Sequence, residues 1–272
     1  MEKLTNENYF SQENNQLYMS CSQFKDFLKC EKETLAKLNG ELVEEKTDAL
    51  LFGGYVDAYF SNELDQYKLA NPEMFNTKTG ELKAPFKKVE EVISAIENDP
   101  MLMKYLNGEK QVIVTGEISG VPFKIKIDAY HPDKLIVDQK IIKDLDLSWV
   151  ERNGKNLKTD FIDAYGYDIQ GAIYQEIVRQ NTGKKLPFVL AITTKEENPD
   201  KALIQIDQEY LDRALELVKE LAPRFQAIKQ GKLEPVGCNH CPTCRKGKMV
   251  SGVVSYKEFF NKAELESESN NE

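Results

Sequence analysis

The chemistry open to this sequence starts with two aspartates and a lysine, Asp128, Asp138 and Lys140, in the segment FKIKIDAYHPDKLIVDQK (Phe123 to Lys140). The segment reads as two strands around a turn. Side chains alternate along a strand. Phe123, Ile125, Ile127 and Ala129 are therefore expected on one face, and Lys124, Lys126, Asp128 and Tyr130 on the other. On the second strand Ile136, Asp138 and Lys140 share a face. An odd hairpin loop, such as 131–135, sets Asp128 directly opposite Asp138, whereas a four-residue loop sends them to opposite faces. Adjacent carboxylates repel unless a cation lies between them. Mg²⁺ (or Mn²⁺) suits such a pair because it takes hard oxygen ligands and keeps its waters. It can then activate a water and neutralise charge growing on a phosphate, and Lys140 beside it could stabilise the transition state. The competing reading is an exposed acidic hairpin with scattered charges. Gln170 and Tyr174, four residues apart, share one helix face and could both reach a phosphate or the lysine. Alternatively, Tyr174 is a core aromatic with a polar tip.

The elements that must hold these residues can be traced by period. Ser20 to Gln23 has the spacing of a capping box, followed by an incomplete helical stripe of Phe24, Phe27, Leu28, Leu35 and Leu38. A second helix is expected over Thr47 to Phe60, a loop over 61–85, and an amphipathic helix marked by Phe86, Val89, Val92, Ile93 and Ile96. From Gln111 the period changes to two: QVIVTGEI, VPFKIKIDAY and KLIVDQKII read as consecutive strands. Residues 161–181 return to helical spacing, PFVLAITT and KALIQI read as strands, and 208–229 as a helix. That order predicts an α/β fold with a central mixed β-sheet flanked by helices, a helical N-terminal part and a C-terminal cysteine segment. The expected division is a loose N-terminus over 1–18, one domain over 19–248 and a charged tail over 249–272.

The chain has 272 residues and a net charge of −9, which counts against indiscriminate nucleic-acid binding through a broad basic surface. A local basic groove is still open, with Lys124, Lys126, Lys143 and Arg245 as its candidates. No apolar run reaches the length of a membrane span, and the polar N-terminus does not read as a signal peptide. A cytoplasmic protein is expected. Five cysteines without an export signal point to metal binding instead of disulfides. Cys238, Cys241 and Cys244 are separated by two residues each, a spacing that turns several sulfurs toward one centre. Cys30 is the natural fourth ligand. A [4Fe–4S] cluster, zinc, and unliganded thiols are all compatible with this pattern, and His240 could replace one thiolate.

Taken together, Asp128, Asp138, Gln139 and Lys140 resemble the motif of the PD-(D/E)xK nuclease superfamily, and more closely the RecB-like and RecE-like exonucleases, including phage-type exodeoxyribonuclease VIII-like proteins. The resemblance extends from about Met19 to Lys246. It implies that Asp128 and Asp138 ligate metal, that the Gln139 main-chain carbonyl joins them, and that Lys140 is catalytic. LLFGGYVDAYF resembles the family's helical Gly-x-x-His motif, with Asp57 where many members carry histidine; a carboxylate can ligate metal but is no neutral nitrogen ligand. Glu117 stands where related nucleases often have an acidic residue, and otherwise is a strand-edge charge. Gln170 and Tyr174 match the family's Gln-x-x-x-Tyr helix. The early cysteine Cys30 with three late ones resembles the iron–sulfur staple of RecB-like nucleases, although the late spacing there is usually wider. The implied activity is Mg²⁺-dependent exonucleolytic hydrolysis of DNA, serving a single-strand annealing partner in phage-type recombination. The competing class is a nuclease-like module that binds DNA or a partner through an incomplete site.

Overall fold

A computed structural model describes residues 4–42, 46–152, 155–246, 248–250 and 252–259. It separates into two compact units, Met1–Cys238 and Asn239–Glu272. The first holds α1 (Gln12–Leu17), α2 (Cys21–Lys29), α3 (Glu31–Leu38), α4 (Asp48–Phe60), α5 (Leu64–Ala70), α6 (Val89–Glu97) and α7 (Pro100–Leu106). After these come β1 (Glu109–Ile118), β2 (Val121–His131), β3 (Leu135–Ile142), β4 (Ser148–Arg152), β5 (Lys155–Thr159), α8 (Phe161–Tyr165), α9 (Tyr167–Thr182), β6 (Phe188–Thr194), β7 (Lys201–Gln205) and α10 (Gln208–Lys229). The second unit contains α11 (Pro242–Lys246) and α12 (Tyr256–Phe259).

Five strands form one sheet in the order β1-β2-β3-β6-β7. The β3–β6 pair is parallel and the others antiparallel, so the sheet is mixed. Parallel neighbours need a crossover, and here it is made by β4, β5, α8 and α9. One face of the sheet buries Phe123, Ile125, Ile127, Ile136, Leu190 and Ile192 against α2, α9 and α10. The other buries Ala129, Val137 and Ala191 against α4, α6 and α7. Strand β6 is buried at every position, as expected of a central strand covered on both faces.

Several expectations need correction. Residues 4–18 are not loose: α1 forms, Tyr9 is buried, and the Lys229 ammonium donates to the Asn15 and Tyr18 carbonyls and to Gln23 Oε1 at 2.8–3.0 Å. A polar sequence hid this docking because its partners are main-chain carbonyls held by a distant lysine. Residues 61–85 contain α5 and two short 3-10 turns, and Phe86 belongs to the second turn, outside α6. Helix α7 starts on a signal that hydrophobic spacing misses: Asp99 Oδ1 accepts from Met101 N and Leu102 N, and Pro100 occupies the first turn. The helix expected over 161–181 is broken by Gly166, whose φ of 62° closes α8 in a left-handed cap. The hairpin β4–β5 was not anticipated. Ser20 caps α2 through Gln23 N, but the Gln23 side chain donates to the Asn15 carbonyl, so the capping box is half-made. Finally, Ala129 lies on the face opposite Ile127, while Tyr130 packs with the Ile127 cluster. The alternation of β2 slips at Asp128, the position where the site is built.

Candidate active site

Strand β2 pairs with β3 at Ala129–Val137, Tyr130–Ile136 and His131–Leu135. Continuing that register by one residue brings Asp128 opposite Asp138, as an odd loop requires; the turn itself spans 132–134 and needs the left-handed Asp133, φ 63°. The ladder stops there. In place of a main-chain partner, the Gln139 amide donates to Asp128 Oδ2 at 2.9 Å. The side of Asp128 toward β1 is disturbed as well. Pairs Lys110–Ala129 and Val112–Ile127 flank it, and the intervening Gln111 has φ 52°, an unfavourable conformation for a residue with a Cβ. This kink sends the Gln111 side chain to α4, where its Nε2 donates to Asp57 Oδ1 at 3.2 Å and to Ser61 Oγ at 2.9 Å. Gln111 escaped sequence reading because no spacing rule marks a left-handed residue inside a strand.

Asp138 is 2% exposed and held from both sides. Gln170 Nε2 donates to Oδ1 at 2.6 Å, and the Lys140 ammonium lies 2.5 Å from Oδ2 in an ion pair without a well-directed hydrogen bond. Helix α9 comes close enough for the Gln170 contact because residue 171 is glycine: a Cβ there would sit 2.7 Å from the Phe188 ring and 2.8 Å from Leu211. Tyr174 lies on the same face but does a different task. Its hydroxyl donates to the Lys126 carbonyl at 2.9 Å and its ring packs edge-on against Phe188, so it fixes β2 and does not reach Lys140. Tyr167, seven residues or about two helical turns before Tyr174, places its ring 5.5 Å from the Lys140 ammonium and was not anticipated.

The electrostatics describe a cluster with too many negative charges. Burial raises the Asp128 carboxyl well above its usual range, and the charges of Asp57 and Asp138 push it further; Lys140 and the Gln139 amide only partly oppose this. Burial raises Asp57 too, against the pull of Lys126 and Lys140. Burial disfavours the Lys140 charge, but Asp138 and Asp128 outweigh it and hold the ammonium protonated above its normal range. Lys140 is therefore a fixed cation at neutral pH, suited to stabilising an anion and unsuited to accepting a proton. Asp57 and Asp128 open onto a cleft of ≈ 630 Å³ that also exposes Gln111, Lys126 and Gln170. The donor set fits a hard divalent cation: carboxylate oxygens with spare lone pairs, mutually repelling in its absence.

Other expected residues lie elsewhere. Glu117 is exposed and pairs with Pro122, six residues before Asp128; at ~3.3 Å per residue it is about 20 Å from the site. It cannot share a cation with Asp128. Lys124 is 1% exposed, not on a surface track; its ammonium donates to the Tyr9 carbonyl and to Asn15 Oδ1, and burial lowers it to about 8. Lys143 is largely exposed and ion-paired with Asp144 at 3.0 Å. Arg245, in the second unit, donates to the His240 carbonyl.

Within the first unit, Cys30 is buried at the junction of α2 and α3, where its Sγ accepts from Glu33 N at 3.5 Å. Cys238 lies within 4.8 Å of it, sulfur to sulfur. The approach is set by Glu31, which forms a two-pronged ion pair with Arg224 at 2.7 and 2.8 Å and accepts from Val236 N at 2.6 Å. Within the second unit the Cys241 and Cys244 sulfurs are likewise within 4.8 Å, and Cys241 Sγ accepts from Cys244 N.

A mixed sheet with helices on both faces, two aspartates and a lysine where the central strands part, and a glutamine reaching down from the crossover helix together define a PD-(D/E)xK nuclease. The chain belongs to the family described as "PDDEXK-like domain of unknown function (DUF3799)", which matches residues 20–247. A crystal structure from Eubacterium rectale, described as a "Putative exonuclease", is similar at a TM-score of 0.86 and 48% sequence identity, covering 95% of this chain and 98% of that one. No curated protein matches. No helix among the described residues is long and apolar enough to cross a membrane.

Proposed function

We propose that the chain is a Mg²⁺-dependent deoxyribonuclease acting exonucleolytically on DNA ends, in a phage-type recombination setting with a single-strand annealing partner. The observation that carries this is Asp138, clamped between Lys140 and Gln170, beside Asp128 and Asp57 at the wall of one cleft. Asp57, Asp128 and Asp138, with the Gln139 main-chain carbonyl, would hold the cation. Bound there, it supplies Lewis acidity toward the phosphate and activation of the attacking water. The chain's own residues do the remaining work. Gln170 fixes the orientation of Asp138. Gln111 fixes Asp57. Lys140 presents a permanent positive charge toward the negative charge that develops on the phosphate. Lys126 supplies a cation on the cleft wall, within reach of a flanking phosphate. The acidic net charge of −9 makes this local pairing more important, because it counts against binding through a broad basic surface.

The four cysteines are proposed to form one thiolate centre, holding [4Fe–4S] or zinc. The argument is that Cys30 meets Cys238, Cys241 meets Cys244, and only two residues separate Cys238 from Cys241. A direct test of the activity incubates the purified chain and Mg²⁺ with linear and covalently closed circular duplexes of one sequence. Loss of the linear form with the circle intact is expected; equal loss of both would replace the exonuclease by an endonuclease.

A further inference from the structure

Phe10 is an aromatic ring set out in solvent at the wall of the same cleft. It is 71% exposed, and it lies before residue 20, where the family match begins. Single exposed apolar side chains are common and mean little by themselves. This one has a fixed main chain and fixed neighbours. Its own carbonyl accepts from Asn15 Nδ2 at 3.1 Å, and the next residue, Ser11, caps α1. The preceding Tyr9 is buried, meets the Phe10 ring edge-on at 4.9 Å, and lies beneath the Lys124 ammonium. The Lys126 ammonium lies 5.7 Å from the centre of the Phe10 ring, and the main chain of Lys126 is fixed by Tyr174. Lys25, anchored on the Tyr165 carbonyl, borders the same opening. The ring thus stands beside the Lys126 cation, in the lining of the cleft that also holds Lys25, Asp128 and Asp57.

We propose that Phe10 is a stacking platform for an unpaired base, and that the chain therefore engages one separated strand at the end of the DNA. The inference rests on the deoxyribonuclease reading above. Aromatic rings bordered by cations that track the backbone are the means by which proteins hold single strands without reading sequence. The cleft volume supports one strand. At ≈ 630 Å³ it has the size of a site for a drug-sized ligand, which corresponds to about one or two nucleotides inside it. Asp138 is buried, so a phosphate must enter the cleft to meet the site, and the strand carrying it must leave its complement first. Phe10 would take the base that this separation exposes, while Lys126 meets the adjoining phosphate.

The test uses a hairpin DNA with a four-nucleotide overhang carrying 2-aminopurine at successive positions, and a blunt hairpin of the same stem. Binding is measured in the Lys140→Ala chain with Mg²⁺, with and without Phe10→Ala, Phe10→Leu and Phe10→Trp. Expected is quenching of 2-aminopurine at one overhang position, lost in Phe10→Ala and Phe10→Leu and kept in Phe10→Trp. Affinity for the overhang DNA should fall about ten-fold in Phe10→Ala, while affinity for the blunt hairpin changes less than about two-fold. The proposal is overturned if Phe10→Ala binds both DNAs like its parent, or if it weakens both equally. It also falls if Phe10→Leu retains the quenching. Those outcomes leave the nuclease reading standing. Failure of the Phe10-containing chain to bind any DNA would overturn both.

Discussion

At the scale of single residues, the site is a balance between three carboxylates and one ammonium, and its predictions are electrostatic. Asp128 binds a proton more tightly in the folded chain than in the unfolded one. Its ionisation therefore costs stability that appears as pH rises from the ordinary carboxylate range through its raised folded value. In chelator at pH 8, Asp128→Asn should melt above the wild type by roughly 2–4 °C or more, and the gap should close on acidification. Mg²⁺ at pH 8 should stabilise the wild type more than the variant; a variant that melts lower at every pH would contradict this. Gln170→Ala removes the amide that donates to the buried Asp138 Oδ1 at 2.6 Å. A loss of about 1–3 kcal/mol in stability is expected by denaturant titration, with a lower affinity for Mg²⁺. The Asp128–Asp138–Lys140 set was legible in sequence because an odd turn brings Asp128 opposite Asp138 and alternation along β3 keeps Lys140 with Asp138, although the alternation of β2 slips at Asp128. Gln111 and Tyr167 were not: one is placed by a backbone kink and the other by a helix break at Gly166.

At the scale of elements, the site depends on how close α9 comes to the sheet and on what ties down the first residues. Gly171→Ala should destabilise the fold although alanine favours helices, because the new methyl group meets the Phe188 ring and Leu211 at contact-forbidding distances. Overpacking of this kind costs about 1–3 kcal/mol against a propensity gain of about 1. A thermal melt checks the sign, and an unchanged or raised melting temperature would show that α9 can move away. Lys229→Met should take the ammonium away from the Asn15 and Tyr18 carbonyls together, leaving Gln23 Nε2 as a donor to the first. Faster proteolysis within residues 4–18 than within α10 is expected, measured by mass spectrometry of timed digests. Periodicity revealed the long elements, including α10 and the three strands from Gln111, since each buries a continuous face. It missed α5, α7 and the β4–β5 hairpin, which are too short to show a full hydrophobic period; α7 starts on its Asp99 cap and the hairpin rests on local strand pairing.

At the scale of the whole molecule, one unit carries the sheet and site, and its chain leaves through Val236 and Cys238 beside the start of α3. If the four thiols share one metal centre, anaerobically prepared protein should contain either about four iron atoms per chain with a brown colour, or one zinc and no colour. Cys30→Ser should lower that content sharply while leaving Asp138 and Lys140 in place. Stoichiometric metal in Cys30→Ser at the wild-type level would exclude Cys30 as a ligand. The cysteine spacing was legible as a metal pattern, but the clasp of Glu31 on Arg224 and Val236 that brings Cys238 to Cys30 joins residues 193 and 205 positions apart, and no local signal marks it.

Asp138, between Lys140 and Gln170, is proposed to serve a cation-dependent cut of DNA. The most direct test of this role is digestion of linear duplex DNA by wild-type protein and by Asp138→Asn, each with Mg²⁺ and with chelator, after confirming by circular dichroism that both are folded. Digestion by the wild type with Mg²⁺ alone is expected, with a loss of at least about a hundred-fold in Asp138→Asn, the scale of removing a group that stabilises a transition state. Digestion by Asp138→Asn at the wild-type rate, or by either protein in chelator, would contradict this role.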